Sequence, residues 1–142
     1  MRNSDDIKRI ADYFKDRNEV SALFLFGSLA KGRETAESDI DIAVLVDESK
    51  MGGNTFQQLK RAYYAASPRF SLRPVDIVIL NTASSFLKHH VLAASKVLFD
   101  RNRKLRVRFR TRAIIEYLDF TYTENICRKA VADRFRRSSC GR

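Results

Sequence analysis

The spacing of apolar residues changes several times along the first 100 positions, and each change predicts a helix or a strand. Near the N-terminus, the spacing of three and four residues typical of an amphipathic helix links Ile7, Ile10, Ala11 and Phe14. Val20–Phe26 is apolar almost throughout, as expected of a buried strand. Helical and strand patterns follow one another in this way, and we therefore expect an α/β (α+β) fold.

Three further strands are predicted after the first. Residues 39–46 alternate in polarity at their start, and one face of this second strand holds Ile40, Ile42, Val44 and Val46. Residues 75–80 predict a third strand, and Lys96–Asp100 predicts a short last one. A helix is expected between them over residues 82–94.

The C-terminal part of the chain has a different pattern. From Arg101 onwards, apolar residues recur every third or fourth position, which predicts a long amphipathic helix. We expect a break at residues 121–125, where Thr123 can cap a second helical piece. The predicted organisation is one domain in two parts, a core over residues 1–100 and a basic helical extension over residues 101–142 packed on that core.

Charge is distributed unevenly between these two parts. The chain has a net charge of +10, and residues 101–142 hold 13 Lys or Arg against 4 Asp or Glu, a net charge of +9. Such a segment attracts acidic surfaces of proteins or nucleic acids, although a solvated helix face is an alternative explanation. No groove-reading motif accompanies the arginines, so we do not expect nucleic acid as a specific partner.

Composition also excludes several classes of protein. No apolar run approaches the roughly 20 residues that a membrane-spanning helix needs. The N-terminal stretch is amphipathic and does not resemble a signal peptide. Two cysteines do not form a disulfide framework, and we expect a cytoplasmic protein without a membrane partner.

Candidate chemistry lies where the first two strands meet a loop. Asp39 and Asp41 point to the same side of the second strand, and Gly27-Ser28 ends the first. Two carboxylates beside a turn that can approach phosphate closely suit Mg²⁺, which binds one or two carboxylates together with substrate phosphates. Asp76 interrupts the apolar third strand, and charged residues rarely enter cores unpaired. We interpret Asp76 as a third functional carboxylate.

These residues resemble a known signature. Gly27-Ser28, ten intervening residues and Asp39-Ile40-Asp41 are similar to the pattern of the DNA polymerase β-type nucleotidyltransferase superfamily, and Asp76 matches its third carboxylate. The resemblance covers about residues 20 to 100 and implies a small mixed β-sheet core with flanking helices, to which this chain adds its long C-terminal helix. The short chain resembles the minimal nucleotidyltransferases, many of which are antitoxins of HEPN-type ribonuclease toxins.

The resemblance also implies roles for the three carboxylates. Asp39 and Asp41 would hold two Mg²⁺ ions, and Asp76 would hold the catalytic one and accept the proton of the acceptor hydroxyl.

The phosphate groups of the nucleotide would lie at the loop after the first strand. By the same resemblance, Gly27 and Ser28 would hold the β- and γ-phosphates of ATP. Lys31 and Arg33 are close enough in sequence to reach a triphosphate. Solvated loop cations are the alternative reading of these two residues.

The function implied is that of an ATP- and Mg²⁺-dependent protein adenylyltransferase, an antitoxin that modifies and neutralises a cognate HEPN-type toxin. One alternative is a non-catalytic antitoxin that neutralises the toxin by binding alone. Another is nucleotidyl transfer to a small molecule such as an aminoglycoside, although those enzymes usually carry an additional helical domain.

Overall fold

Five helices and four strands make up the computed structural model, which describes residues 2–32 and 38–140. The helices are α1 (Arg2–Lys15), α2 (Gly27–Ala30), α3 (Phe56–Phe70), α4 (Ser85–Ala94) and α5 (Arg103–Cys140). The strands are β1 (Val20–Phe26), β2 (Ile40–Val46), β3 (Val75–Ile79) and β4 (Lys96–Asp100).

The four strands form one mixed sheet in the order β3-β2-β1-β4. β1 is antiparallel to both of its neighbours, β2 and β4, whereas β2 and β3 are parallel. The predicted fold class, a small mixed sheet with flanking helices and a long C-terminal helix, is therefore confirmed. The third strand ends one residue earlier than predicted, because Leu80 begins a 3-10 turn.

Successive side chains of each strand point to opposite faces of the sheet, and a core forms on each face. On one face α1 and α3 pack on the strands, and the buried side chains include Ile10, Phe14, Leu59, Tyr63, Ile42 and Ile77. On the other face α4 and the start of α5 cover a smaller cluster that includes Phe24, Leu45, Val91, Leu105 and Phe109.

α5 is one continuous helix of 38 residues, about 57 Å long at 1.5 Å per residue. The predicted break at residues 121–125 is wrong. The sequence of α5 contains neither glycine nor proline, and the Thr121 hydroxyl donates to the Tyr117 carbonyl at 2.9 Å, so that the threonine is accommodated within the helix.

The two halves of α5 differ in their surroundings, and we call residues 103–117 the proximal segment and residues 118–140 the distal segment. In the proximal segment Ala113 is buried, and the Tyr117 ring stacks on His89 of α4 with centroids 3.8 Å apart. In the distal segment, large apolar side chains are half or more exposed, among them Leu118, Phe120, Tyr122, Ile126, Val131 and Phe135. The division between residues 1–100 and 101–142 stays a prediction.

Long as it is, α5 is too polar for a bilayer. Within the described ranges, no helix combines the length and the apolar character needed to cross a membrane.

Candidate active site

Three strand ends meet at one end of the sheet, because β1 runs towards it while β2 and β3 start from it. Asp41 of β2 lies in register with Phe26 of β1 on one side and with Asp76 of β3 on the other. Neighbouring strands are about 4.8 Å apart, so the backbones of Asp41 and Asp76 are held at roughly this distance. The pairing of the strands therefore brings together the carboxylates of two strands that are far apart in sequence.

We call Asp39, Asp41 and Asp76 the acidic rim. Asp39 directly precedes β2, and Asp41 is two residues further on. Asp41 and Asp76 lie on the face that α4 and α5 cover elsewhere, opposite to the buried Ile42 and Ile77. Asp39 and Asp76 are exposed, whereas Asp41 is half-buried.

The three carboxylates act on one another electrostatically. Partial burial raises the pKa of Asp41, and the charges of Asp76 and then Asp39 raise it further. A bound cation would remove this repulsion, and oxygen ligands suit Mg²⁺, so the donor set fits that ion. As the side chains stand, no three acidic, histidine or cysteine residues of the described ranges enclose a metal ion.

Gly27 explains how the loop after β1 approaches the acidic rim so closely. Its φ is +75°, a conformation that side chains rarely adopt. A Cβ atom at this position would lie 2.1 Å from Oδ2 of Asp41, which is far inside van der Waals contact. The absence of a side chain at Gly27 thus leaves room for the Asp41 carboxylate.

The remaining predicted phosphate ligands follow Gly27 in the sequence. Ser28 lies in the single turn of α2, and Lys31 follows α2 and is exposed. Arg33 lies outside the described residues.

Two further residues at this end of the sheet were missed by sequence reasoning. The Tyr64 hydroxyl of α3 donates to Oδ1 of Asp76 at 2.8 Å and accepts from the Ile77 N–H at 2.9 Å. Burial raises the pKa of Tyr64, the hydrogen bond to Asp76 raises it too, and the bond with Ile77 lowers it. A signal was present in the sequence, since adjacent helical residues point about 100° apart and Tyr63 and Tyr64 cannot both face one core.

Arg73 is the second missed residue. Its guanidinium donates to the carbonyl of Ser38, directly before Asp39, and the Ile40 N–H donates to the Pro74 carbonyl at 2.9 Å. The segment before β3 thereby holds the start of β2 in place. No pattern in the sequence around Arg73 indicates this contact.

Comparison with known sequences gives one family and two relatives. The family described as polymerase beta, nucleotidyltransferase matches residues 8–104, a range that includes Gly27 and the acidic rim. The protein adenylyltransferase MntA of Aphanizomenon flos-aquae is 33% identical, and the match covers 75% of this chain and 78% of that protein. A candidate protein adenylyltransferase of Methanocaldococcus jannaschii is 43% identical over 53 residues, which are 34% of this chain and 53% of the relative. The chain thus spans about half the length of this second relative.

Two solved complexes contain chains of similar structure. One is the Shewanella oneidensis HEPN toxin, tri-AMPylated, in complex with an MNT antitoxin; the matched chain has a TM-score of 0.68 and 22% identity, with 93% of this chain and 99% of that one covered. The other is a toxin–antitoxin complex with AMP-PNP, with a TM-score of 0.65, 24% identity and coverage of 89% and 98%. At these identities the likeness shows a common fold.

Proposed function

The chain belongs to the polymerase beta nucleotidyltransferase family, and from this premise we propose that it is an ATP- and Mg²⁺-dependent protein adenylyltransferase, the antitoxin of a HEPN-type toxin. The observation that carries this proposal is the position of Asp41, in register with Asp76 and in van der Waals reach of Gly27. The adenylyltransferase relative at 33% identity supports the choice of a protein acceptor. The proposed location is the cytoplasm, where reducing conditions suit the exposed thiol of Cys127.

In the proposed reaction a tyrosine hydroxyl of the toxin attacks the α-phosphorus of ATP. A bond forms between the hydroxyl oxygen and this phosphorus, the bond between the α-phosphorus and the bridging oxygen breaks, and pyrophosphate leaves. Asp76 takes the hydroxyl proton, for which its exposed position at the edge of the sheet is suited. The transfer leaves one AMP on the toxin for each ATP consumed.

Asp39 and Asp41 would hold the Mg²⁺ ions, and Asp76 would hold the catalytic one. Bound Mg²⁺ would neutralise the negative charge that develops on the phosphate oxygens. Gly27 and Ser28 would bind the β- and γ-phosphates, with Lys31 and Arg33 as further cationic partners.

Two alternatives compete with this function. An antitoxin that acts by binding alone has no need of three carboxylates at one end of a sheet, where burial first and then the charges of Asp76 and Asp39 raise the pKa of Asp41. Transfer to a small molecule such as an aminoglycoside would use the same acidic rim. It would leave the exposed apolar side chains of the distal segment without a use.

The distal segment is the proposed docking surface for the toxin. It has large exposed apolar side chains, such as Tyr122 and Phe135. Residues 118–140 hold five Lys or Arg against three Asp or Glu, a net charge of +2 within the basic part of the sequence. Apolar contacts supply affinity in protein interfaces, and charge steers association. The expected partner surface is therefore an apolar patch with an acidic border.

The test is transfer of label from α-phosphate-labelled ATP to a purified HEPN-type toxin, with and without Mg²⁺. Asp76→Asn keeps the size of the side chain but cannot accept the proton, and we expect transfer to fall by at least about 100-fold. Isothermal titration with ATP gives the matched control, because Asp76→Asn should still bind the nucleotide. Toxin neutralisation without transfer of label, at equal efficiency in Asp76→Asn, would establish the binding-only alternative.

A further inference from the structure

Tyr64 connects one face of the sheet to the other around its free edge. It belongs to α3, which packs on the face of Ile77, whereas Asp76 points to the opposite face. β3 is the edge strand, so the tyrosine side chain can pass beside it and reach Asp76. We propose that Tyr64 is a positioning residue of the transfer reaction, which fixes the orientation of the Asp76 carboxylate; the proposal rests on the function proposed above.

The hydroxyl of Tyr64 is itself fixed to the backbone. It accepts the Ile77 N–H at 2.9 Å, and its single proton has two acceptors in range, Oδ1 of Asp76 at 2.8 Å and the Ile77 carbonyl at 3.3 Å. The shorter bond to the charged acceptor is the stronger one. The carboxylate orientation is thereby tied to the next peptide of its own strand.

This restraint matters because Asp76 lies on an edge strand. Asp76 is exposed, and an exposed side chain of an edge strand samples several rotamers unless a bond selects one. Groups that hold a reacting atom must keep it near one geometry, and partners behind a ligand supply much of that order. Tyr64 supplies such a partner from outside the acidic rim.

The direction from which Tyr64 approaches Asp76 distinguishes a positioning role from that of a hydroxyl that receives AMP. Tyr64 reaches Asp76 from the free edge, whereas Asp41 lies on the other side of Asp76 within the sheet. The bond at the edge uses one lone pair of Oδ1 and leaves the other lone pairs of the carboxylate for the proposed roles of Asp76. The phenol oxygen is thus placed on the side of Asp76 that faces away from Asp41.

The neighbouring tyrosine provides a matched control. Tyr63 precedes Tyr64 in α3 and is buried, and its hydroxyl donates to Glu19 at 2.8 Å. Glu19 precedes β1 and therefore lies at the end of the sheet opposite to the acidic rim. Tyr63→Phe removes the same hydroxyl from the same helix without touching Asp76.

The experiment compares the full-length wild-type protein, Tyr64→Phe and Tyr63→Phe in two measurements. Mn²⁺ serves as the probe ion, and its binding is followed by electron paramagnetic resonance. We expect about tenfold weaker Mn²⁺ binding in Tyr64→Phe, the lower range for loss of a partner behind a metal ligand, and wild-type binding in Tyr63→Phe. In AMP transfer to the HEPN-type partner, Tyr64→Phe should lower kcat about tenfold and change KM for ATP by less than about twofold, the pattern of an interaction needed in the transition state.

The two measurements test the two proposals separately. If the wild-type protein transfers nothing to the partner, the adenylyltransferase proposal falls, while the Mn²⁺ comparison still decides whether Tyr64 orders the Asp76 carboxylate for metal binding. Equal Mn²⁺ affinity in the wild-type protein and Tyr64→Phe, or no Mn²⁺ binding by the wild-type protein, would overturn the positioning role. A lower melting temperature of Tyr64→Phe with unchanged Mn²⁺ affinity would likewise mean that the tyrosine only stabilises the edge strand.

Discussion

The acidic rim and the distal segment of α5 differ in what holds their side chains in place. At the acidic rim, the pairing of three strands fixes Asp41 beside Asp76, and Gly27 is fitted against Asp41 so closely that a Cβ atom has no room. In the distal segment, helical hydrogen bonds hold the backbone, and Phe135 is 72% exposed. Contacts within the chain therefore fix the side chains of the rim, whereas the apolar side chains of the distal segment stay exposed and form the proposed docking surface.

The largest effect should follow from filling the space at Gly27. Gly27→Ala places a Cβ atom 2.1 Å from Oδ2 of Asp41, so the carboxylate or the loop must move. Because catalytic groups misplaced by about 1 Å can cost a factor of ~100, we expect AMP transfer to fall at least that far. The measurement is the initial rate of transfer at saturating ATP, with circular dichroism to verify the fold.

Gly32→Ala is the control for backbone strain. Gly32 also has a positive φ, +68°, but nothing lies within 4 Å of the Cβ position. Both variants should lose a similar ~1 kcal/mol of stability from the strained φ, while Gly32→Ala keeps most of its transfer activity. Equal loss of activity in both would mean that the Asp41 contact does not matter.

Much of the acidic rim could be predicted because it depends on local rules. Alternation in a strand places Asp39 and Asp41 on one side, and a charge inside an apolar strand singles out Asp76. The pairing of Asp41 with Asp76 depends instead on the parallel crossover through α3, which no local pattern specifies. The contact of Tyr64 with Asp76 likewise requires knowing that β3 is an edge strand.

The C-terminal helix was predicted less well, for a related reason. The possible cap at Thr123 suggested a break, but local capping signals compete with helix continuation. α5 contains no glycine or proline that would favour a break, and the helix continues through Thr123. Exposure of the distal apolar residues could not be predicted either, because the same periodicity describes a helix on its own core and a helix on another protein.

The second prediction compares one phenylalanine from each half of α5. Phe109 is half-buried against the cluster that includes Phe24 and Leu45, and Lys88 Nζ lies 5.4 Å from its ring centroid. Phe109→Ala should lower the free energy of unfolding by about 2 kcal/mol, less than the loss at a fully buried site. Phe135→Ala should change it by less than about 0.5 kcal/mol. Urea unfolding of both variants makes the comparison, and equal losses would show that the distal segment packs on the core.

The third prediction concerns the charge of the distal segment. The arginines near its end, Arg136 and Arg137, are exposed, whereas Arg106 of the proximal segment is half-buried and pairs with Asp100 at 2.6 Å. Arg136→Glu/Arg137→Glu should slow association with the toxin about tenfold at low salt, because electrostatic steering acts on the association rate. The difference should shrink at high salt as screening increases.

Surface charges of another helix provide the control for this reversal. Lys60→Glu/Arg61→Glu changes the net charge equally, at exposed positions of α3. Stopped-flow association should be close to wild type for this pair. If both pairs slow association alike, overall charge steers the toxin and the distal segment is not its docking surface.

The smallest effect, and the one that marks the acidic rim as a strained site, is the pH dependence of stability at Asp41. Its pKa in the folded protein is raised above 3.8, by burial first and then by Asp76 and Asp39. A carboxyl with a raised folded-state pKa destabilises the protein as pH rises through that pKa, and below the unfolded-state value the penalty is absent. Without divalent metal, the stability of Asp41→Asn should therefore match that of the wild-type protein at about pH 3 and exceed it at neutral pH. The difference should be less than about 1 kcal/mol because the site is partly solvated.

Asp133→Asn, at an exposed position of the distal segment, controls for loss of a carboxylate. Melting temperatures across this pH range decide the matter: a wild-type protein at least as stable as Asp41→Asn at neutral pH would show that the carboxylates of the rim do not strain the fold.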